Sequence, residues 1–208
     1  MFAILPLRKN SKRLKNKNIK KVNGIPLYFF ILETLIKSKF IKKIIISTDY
    51  KLKFNHNKLE IIERPKNLTG NCSMNLVIKD VLNKFNQNEF IQVHATSPLL
   101  KKKTIDKAIQ FYKKNKFDSL FSVTKIQKRF WNYNNKPYNH KITNSPTTQS
   151  LKILFEENSG FYIFNRKTFF KKNNRIGVNP KLFEISKQEA IDIDDSDDFE
   201  IVKKMLRK

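Results

Sequence analysis

Short apolar runs rich in β-branched residues alternate with amphipathic stretches along most of this chain, and that alternation leaves few folds open to it. Phe2–Leu7 reads as a buried strand, and Lys43–Thr48, Leu59–Glu63 and residues 90–93, 119–124, 160–164 and 182–185 carry the same signature. Helical periodicity starts at Pro26, read as a first-turn proline, with Leu27, Phe30, Ile31, Thr34 and Leu35 as its buried stripe. It returns over 76–85 with Val77, Ile78, Val81, Leu82 and Phe85, and again over 104–112. Only about nine residues separate Asp49 from Leu59, so a loop is expected there. A last helix follows Ser196, taken as its N-cap, with Asp197 and Asp198 suiting the helix dipole and Phe199, Val202, Met205 and Leu206 facing inward. Strands alternating with helices predict right-handed βαβ units, a three-layer α/β fold around a mostly parallel sheet, and ligand binding at the strands' carboxyl ends.

From Lys125 to about Leu151 the alternation fails. Phe130, Trp131, Tyr133 and Tyr138 mix with the turn formers Asn134-Asn135 and Asn144-Ser145-Pro146, so 125–151 reads as an excursion from one 208-residue domain. The first residues are too short an apolar run for a signal peptide, and nothing approaches 18 consecutive apolar residues, so no membrane association is expected. The single cysteine, Cys72, excludes an intramolecular disulfide and a cysteine-based zinc site, and the cytoplasm is the expected compartment.

A net charge of +25 invites a nucleic-acid reading. Against it, lysine outnumbers arginine 36 to 7, whereas readers of bases and phosphates favour the guanidinium fork. Lysine and asparagine together make 59 of the 208 residues and spread along the whole chain, a compositional drift rather than a shaped patch. Specific nucleic-acid binding is therefore not expected, although weak polyanion binding is.

Two local charge features stand out. The first strand empties into Leu7-Arg8-Lys9-Asn10-Ser11-Lys12-Arg13-Leu14-Lys15-Asn16-Lys17-Asn18, a glycine-free cationic loop suited to a polyphosphate or, on the plainer reading, a solvated turn. It matches neither the P-loop nor the G-x-G-x-x-G pattern. Near the other end, six of the 18 acids fall between Asp192 and Glu200. Asp192 and Asp194, two apart and flanked by Ile191 and Ile193, can reach one face and hold a divalent ion; helix capping and solvation is the alternative.

These motifs, in this order, resemble those of the acylneuraminate cytidylyltransferases (CMP-sialic acid synthetases). Arg8, Ser11, Lys12, Lys17, Asn18, Ile19, Gly24, Pro26 and Leu27 match the family's opening Arg-x-x-Ser-Lys-Gly, Lys-Asn-hydrophobic and Gly-x-Pro-Leu elements. Ser47-Thr48-Asp49, Arg64-Pro65 with Leu68, Gly70-Asn71, Ser73 and Met74-Asn75 follow in register. So do His94-Ala95-Thr96-Ser97-Pro98-Leu99, Thr148-Gln149 with Leu151, Glu156 to Phe164, and Asp192-Ile193-Asp194 as the Asp-x-Asp metal motif. Arg13 replaces a usual glycine, at a cost of about 1 kcal/mol if its φ must be positive, while Asn16 tolerates left-handed geometry.

The resemblance implies a Rossmann-like nucleotidyltransferase fold and an Mg²⁺-dependent enzyme that transfers CMP from CTP to a nonulosonic, sialic-acid-like 2-keto sugar acid and releases pyrophosphate. It implies Arg8, Lys17 and Asp194 as catalytic, and Arg8, Asn10, Ser11, Lys17, Asn18, Arg64, Ser73 and Asn75 as nucleotide-binding. Asp192 and Asp194 would hold the metal, and His94, Gln149, Asn158 and Tyr162 would face the sugar. His94, taken alone, reads as easily as a structural group. Arg129, Gln149 and Lys152 are candidate partners for the acceptor carboxylate, and 125–151 would serve homodimerisation. The competing readings are a nucleotidyltransferase of the same architecture with another nucleotide or sugar, and a non-catalytic polyanion binder.

Overall fold

The computed structural model describes residues 1–9, 11, 13–115, 117–143 and 146–206. In chain order the strands are β1 (Phe2–Leu7), β2 (Lys21–Val22), β3 (Ile25–Pro26), β4 (Lys43–Thr48), β5 (Leu59–Glu63), β6 (Glu89–Val93), β7 (Ser119–Ile126), β8 (Leu154–Asn165) and β9 (Pro180–Glu184). The helices are α1 (Leu27–Lys37), α2 (Met74–Lys84), α3 (Lys102–Asn115), α4 (Arg166–Lys172) and α5 (Ser196–Met205). Seven strands form one sheet in the order β5-β4-β1-β6-β8-β7-β9, and β2 and β3 make a small separate ribbon. Only β8 runs against the rest, pairing antiparallel with both β6 and β7.

Alternate residues of β1 divide between the two faces, as strand geometry requires. Ala3, Leu5 and Leu7 pack under α1 and α3, through Ile31, Leu35, Ile105 and Ile109. Ile4 packs on the other side with Ile78, Val81 and Leu82 of α2 and Phe169 of α4. Each of the leucine, isoleucine, valine and phenylalanine side chains, fully removed from water, contributes roughly 1.5–3 kcal/mol. A third cluster joins Val22 and Leu27 to Ile193, Phe199 and Val202, and so ties the end of the chain to its beginning.

The sheet winds outward from β1 in both directions, first through β4 and β5 and then through β6, so the topological switch lies between β1 and β6. A crevice at the carboxyl ends of these two strands follows from that topology.

Several elements depart from the sequence reading. The N-cap of α5 is Asp195, not Ser196: its carboxylate accepts from the amides of Asp197 and Asp198, and Asp198 answers in a capping box. Pro26 stands at the N-cap of α1 rather than in its first turn. Helix α2 begins two residues early because Ser73 caps it, and β8 is twelve residues long where only its second half, 160–164, was legible. Helix α4, capped by the Asn165 side chain, carried no signal strong enough to be read. The stretch after β4 is a loop, as expected, and the 125–151 excursion holds only the end of β7, one turn of 3₁₀ helix and a Trp131–Pro137 bridge among its described residues.

Candidate active site

A cleft of about 470 Å³ opens at the switch point, walled by Pro6 of β1 and Arg8 just after it, His94 to Thr96 after β6, and Met74 and Val77 of α2. Ser11, Arg13, Lys17 and Asn18 close it from the cationic loop, Arg64 and Gly70 to Cys72 from the far side, and Asp192 and Asp194 from above. The two ends of the chain therefore meet around one cavity.

The loop reaches this shape through specific bonds. Asn18 is buried and donates from Nδ2 to the Arg8 carbonyl at 3.0 Å, folding the loop back on itself. Asn16 supplies the left-handed residue at φ 54° that the turn requires. Arg13 has no positive φ, so the replaced glycine carries no strain penalty; its guanidinium instead meets Asp194 Oδ1 at 2.8 Å. Arg8 donates to the carbonyl of Gly70 at 2.7 Å, and Gly70 adopts φ 76°, which a side chain would oppose.

The carboxylate pair is set by the alternation of Asp192-Ile193-Asp194. Ile193 is buried in the third cluster, and its amide donates to the Thr96 carbonyl at 2.9 Å. With Ile193 turned into the core, both neighbouring aspartates face the cleft. Lys17 Nζ donates to the Ile193 carbonyl and stands 3.4 Å from Asp194 Oδ1. Asp192 Oδ1 is buried with no hydrogen-bond partner. Burial, opposed by a Thr96 hydrogen bond and the Lys17 charge, pushes its pKa up from 3.8 to about 6.

Among the described residues no group of three or more His, Cys, Asp or Glu forms, so the protein offers two carboxylates and no complete cage. That donor set fits a magnesium ion, which usually keeps waters and substrate phosphate oxygens as its other ligands. The orphaned Asp192 oxygen is the observation that favours a cation there.

Arg64 is buried, donates to the Ser47 carbonyl at 2.9 Å and has an unpartnered Nε; burial lowers its pKa. His94 also lines the cleft with an unpartnered Nε2, and burial, then Arg175 and Lys17, push its pKa down to about 3.

The remaining sequence candidates fall elsewhere. Ser73 caps α2 and, like Asn75, does not line the cavity. Gln149 is exposed on the excursion and outside the cleft wall. Asn158 is consumed by structure: it accepts from Ser122 at 2.7 Å and donates to Thr124 at 2.8 Å. Tyr162 is buried beside His94, with ring centroids 6.4 Å apart, and its hydroxyl donates to Glu157. Asn10 lies outside the described residues. Arg129 is held by the Pro146 carbonyl. Sequence reasoning missed Arg175, whose guanidinium stacks 3.5 Å over the Tyr162 ring.

A cytidylyltransferase family model matches residues 2–206. N-acylneuraminate cytidylyltransferase of Streptococcus agalactiae is 27% identical over 95% of this chain, which spans about half (51%) of that relative's length. Pseudaminic acid cytidylyltransferase of Campylobacter jejuni is 25% identical, with 97% of this chain and 94% of that one covered. Among solved structures, a CMP:2-keto-3-deoxy-manno-octonic acid synthetase complexed with CTP superposes with a TM-score of 0.72 at 13% identity, over 99% of this chain and 97% of that one, which speaks for the fold alone.

Proposed function

The chain belongs to the cytidylyltransferase family, and from that premise we propose that it transfers CMP from CTP to a sialic-acid-like 2-keto sugar acid, releasing pyrophosphate. The observation that carries this reading is the meeting of Lys17 with Asp194, beside the orphaned oxygen of Asp192, across one cleft.

In the proposed reaction a sugar hydroxyl oxygen attacks the α-phosphorus of CTP and loses its proton to solvent, the bond to the bridging oxygen of the β-phosphate breaks, and pyrophosphate leaves. Arg8 and Lys17 neutralise the triphosphate, with Ser11 beside them. Asn18 holds the loop in register, and Arg64 faces the nucleoside side of the cleft. Asp192 and Asp194 would hold Mg²⁺, which when bound supplies charge neutralisation and alignment of the transferring group. Arg13 and Lys17 both meet Asp194 at Oδ1, and a cation taking that oxygen would turn their side chains toward phosphate. His94 and Tyr162 lie where the acceptor would enter, on the β6–β8 side.

The reading extends to assembly. Trp131, Tyr133 and Tyr138 of 125–151 are 54%, 93% and 71% exposed, and a second copy of the chain would cover them in a homodimer. Among the described residues no helix is long and apolar enough to cross a membrane, and the reading puts the enzyme in the cytoplasm with its CTP.

The test is pyrophosphate release from CTP, UTP, GTP and ATP with Mg²⁺ and each of N-acetylneuraminate, legionaminate and pseudaminate. CTP with one of these acids should react, and Asp194→Ala should abolish turnover in a folded protein. Salt-sensitive binding of all nucleotides without turnover, indifferent to Asp192 and Asp194, would establish the polyanion reading instead.

A further inference from the structure

The two cations that meet Asp194 Oδ1 are held in different ways. Lys17 has only 13% of its side chain exposed and also donates to the Ile193 carbonyl, so it keeps its place at the cleft wall without Asp194. Arg13 has 69% of its side chain exposed, and among the described residues Asp194 is the one acceptor its guanidinium meets. Its backbone is anchored, because Leu14, the next residue, packs against the cluster of Val22, Leu27 and Ile193. Arg13 is thus a lightly held guanidinium on a fixed loop, at the wall of a cleft it shares with Arg8, Ser11 and Lys17. It stands where the matching motif has glycine and has no positive φ, so the turn itself does not account for it.

That placement sets two arrangements against each other. Without nucleotide, Arg13 and Lys17 both neutralise Asp194, and a divalent ion approaching alone meets two positive charges at the oxygen it needs. A triphosphate carries enough negative charge to reverse that balance. Arg13, once displaced from Asp194, finds phosphate oxygens in the same cleft, where its planar fork can take two at once. A lysine at 13 could neutralise Asp194 equally well but would meet phosphate only as a point charge.

Resting on the functional reading above, we propose that Arg13 is an exchangeable cation of the active site. It occupies Asp194 before ligands bind, weakens the binding of a divalent ion that comes alone, and moves onto the triphosphate when ion and nucleotide arrive together.

The experiment titrates wild type, Arg13→Gln and Arg13→Lys by calorimetry with Mg²⁺ alone and then, at saturating Mg²⁺, with CTP. No acceptor is present, so turnover does not enter the readout. Arg13→Gln should bind Mg²⁺ alone about fivefold more tightly than wild type, the scale of one exposed ion pair removed. The same variant should bind CTP with Mg²⁺ about tenfold more weakly, the scale of one charge-assisted hydrogen bond lost. Opposite signs are the signature of the exchange. Arg13→Lys should match wild type with Mg²⁺ alone and recover only part of the CTP affinity. Arg13 is exposed and Lys17 still faces Asp194 in both variants, so each should melt within about 2 °C of wild type. Should Arg13→Gln melt lower, the split between the two titrations of Arg13→Lys decides. An Mg²⁺ affinity that does not rise in Arg13→Gln, or a CTP affinity that does not fall, overturns the inference and leaves the function standing. No pyrophosphate from wild type with any of the three sugar acids overturns both.

Discussion

Replacing Asp192 by asparagine should make the metal-free protein more stable while removing a carboxylate that the proposed reaction uses. Burial holds the Asp192 pKa at about 6 against 3.8 in an exposed chain. That difference corresponds to about 3 kcal/mol of extra free energy for the charged form in the folded state. The sign follows from proton counts. Between the two pKa values the folded state binds the proton more tightly than the unfolded one, so this group's contribution to stability falls as pH rises through the window. Below about pH 3.8 wild type and variant both carry an uncharged group and the charge-dependent difference vanishes. It should reach about 1.5 kcal/mol near pH 5 and about 3 kcal/mol near pH 7. For a chain of this size that is roughly 6–12 °C in melting temperature. The assay is thermal or urea unfolding of Asp192→Asn and wild type across pH in the presence of a chelator, repeated with excess Mg²⁺, which should stabilise wild type and not the variant. Equal stability near pH 7, or an advantage that stays constant with pH, would refute the burial argument, because only a titrating charge produces that slope.

Two further outcomes follow from the same geometry. Asp195→Ala removes the capping box of α5 and should lower stability by about 1 kcal/mol, read as a melting temperature lower by roughly 2–4 °C; no loss would mean that the cap does not anchor the helix. The His94 pKa is depressed to about 3, so its neutral form contributes stability that is complete above the ordinary value of 6.5 and lost as pH falls toward 3; its ring resonances should not titrate between about pH 5 and 8, and a midpoint near 6.5 would refute its burial.

The fold was legible where periodicity is strong. Strands Lys43–Thr48 and Leu59–Glu63 match residue for residue, because a β-branched run bounded by turn formers has few other places to go. Boundaries set by side-chain caps were not. Asp195 outcompetes Ser196 because the acidic run continues into the first turn and Asp198 closes the box, a choice that spacing alone does not make. The two halves of the cleft were readable as a cationic loop and an Asp-x-Asp pair, but their convergence depends on Ile193 entering the third cluster and on its amide binding Thr96, contacts that span the sequence. Asn158 was read as facing the sugar, whereas its side chain accepts from Ser122 and the Gly160 amide and donates to Thr124, contacts that sequence spacing does not reveal.

One usable signal lay in the composition. Where drift has filled a chain with lysine, 36 against 7 arginines, a position that keeps arginine does so because an ammonium cannot do the same work. Each of the six described arginines has a partner. Arg8, Arg13 and Arg64 line the cleft, Arg166 ties down the Leu82 and Phe85 carbonyls at the end of α2, and Arg129 grips Pro146. Arg175, the sixth described arginine, donates to Gln92 Oε1 at 2.5 Å, and no motif surrounds it. A lysine there could reach Gln92 but could not also lie flat on Tyr162 and keep donors in hand, because an ammonium has neither the planar face nor the fork. Scarcity of a residue type, weighed against a cheaper substitute of the same charge, therefore points to sites that periodicity and spacing pass over.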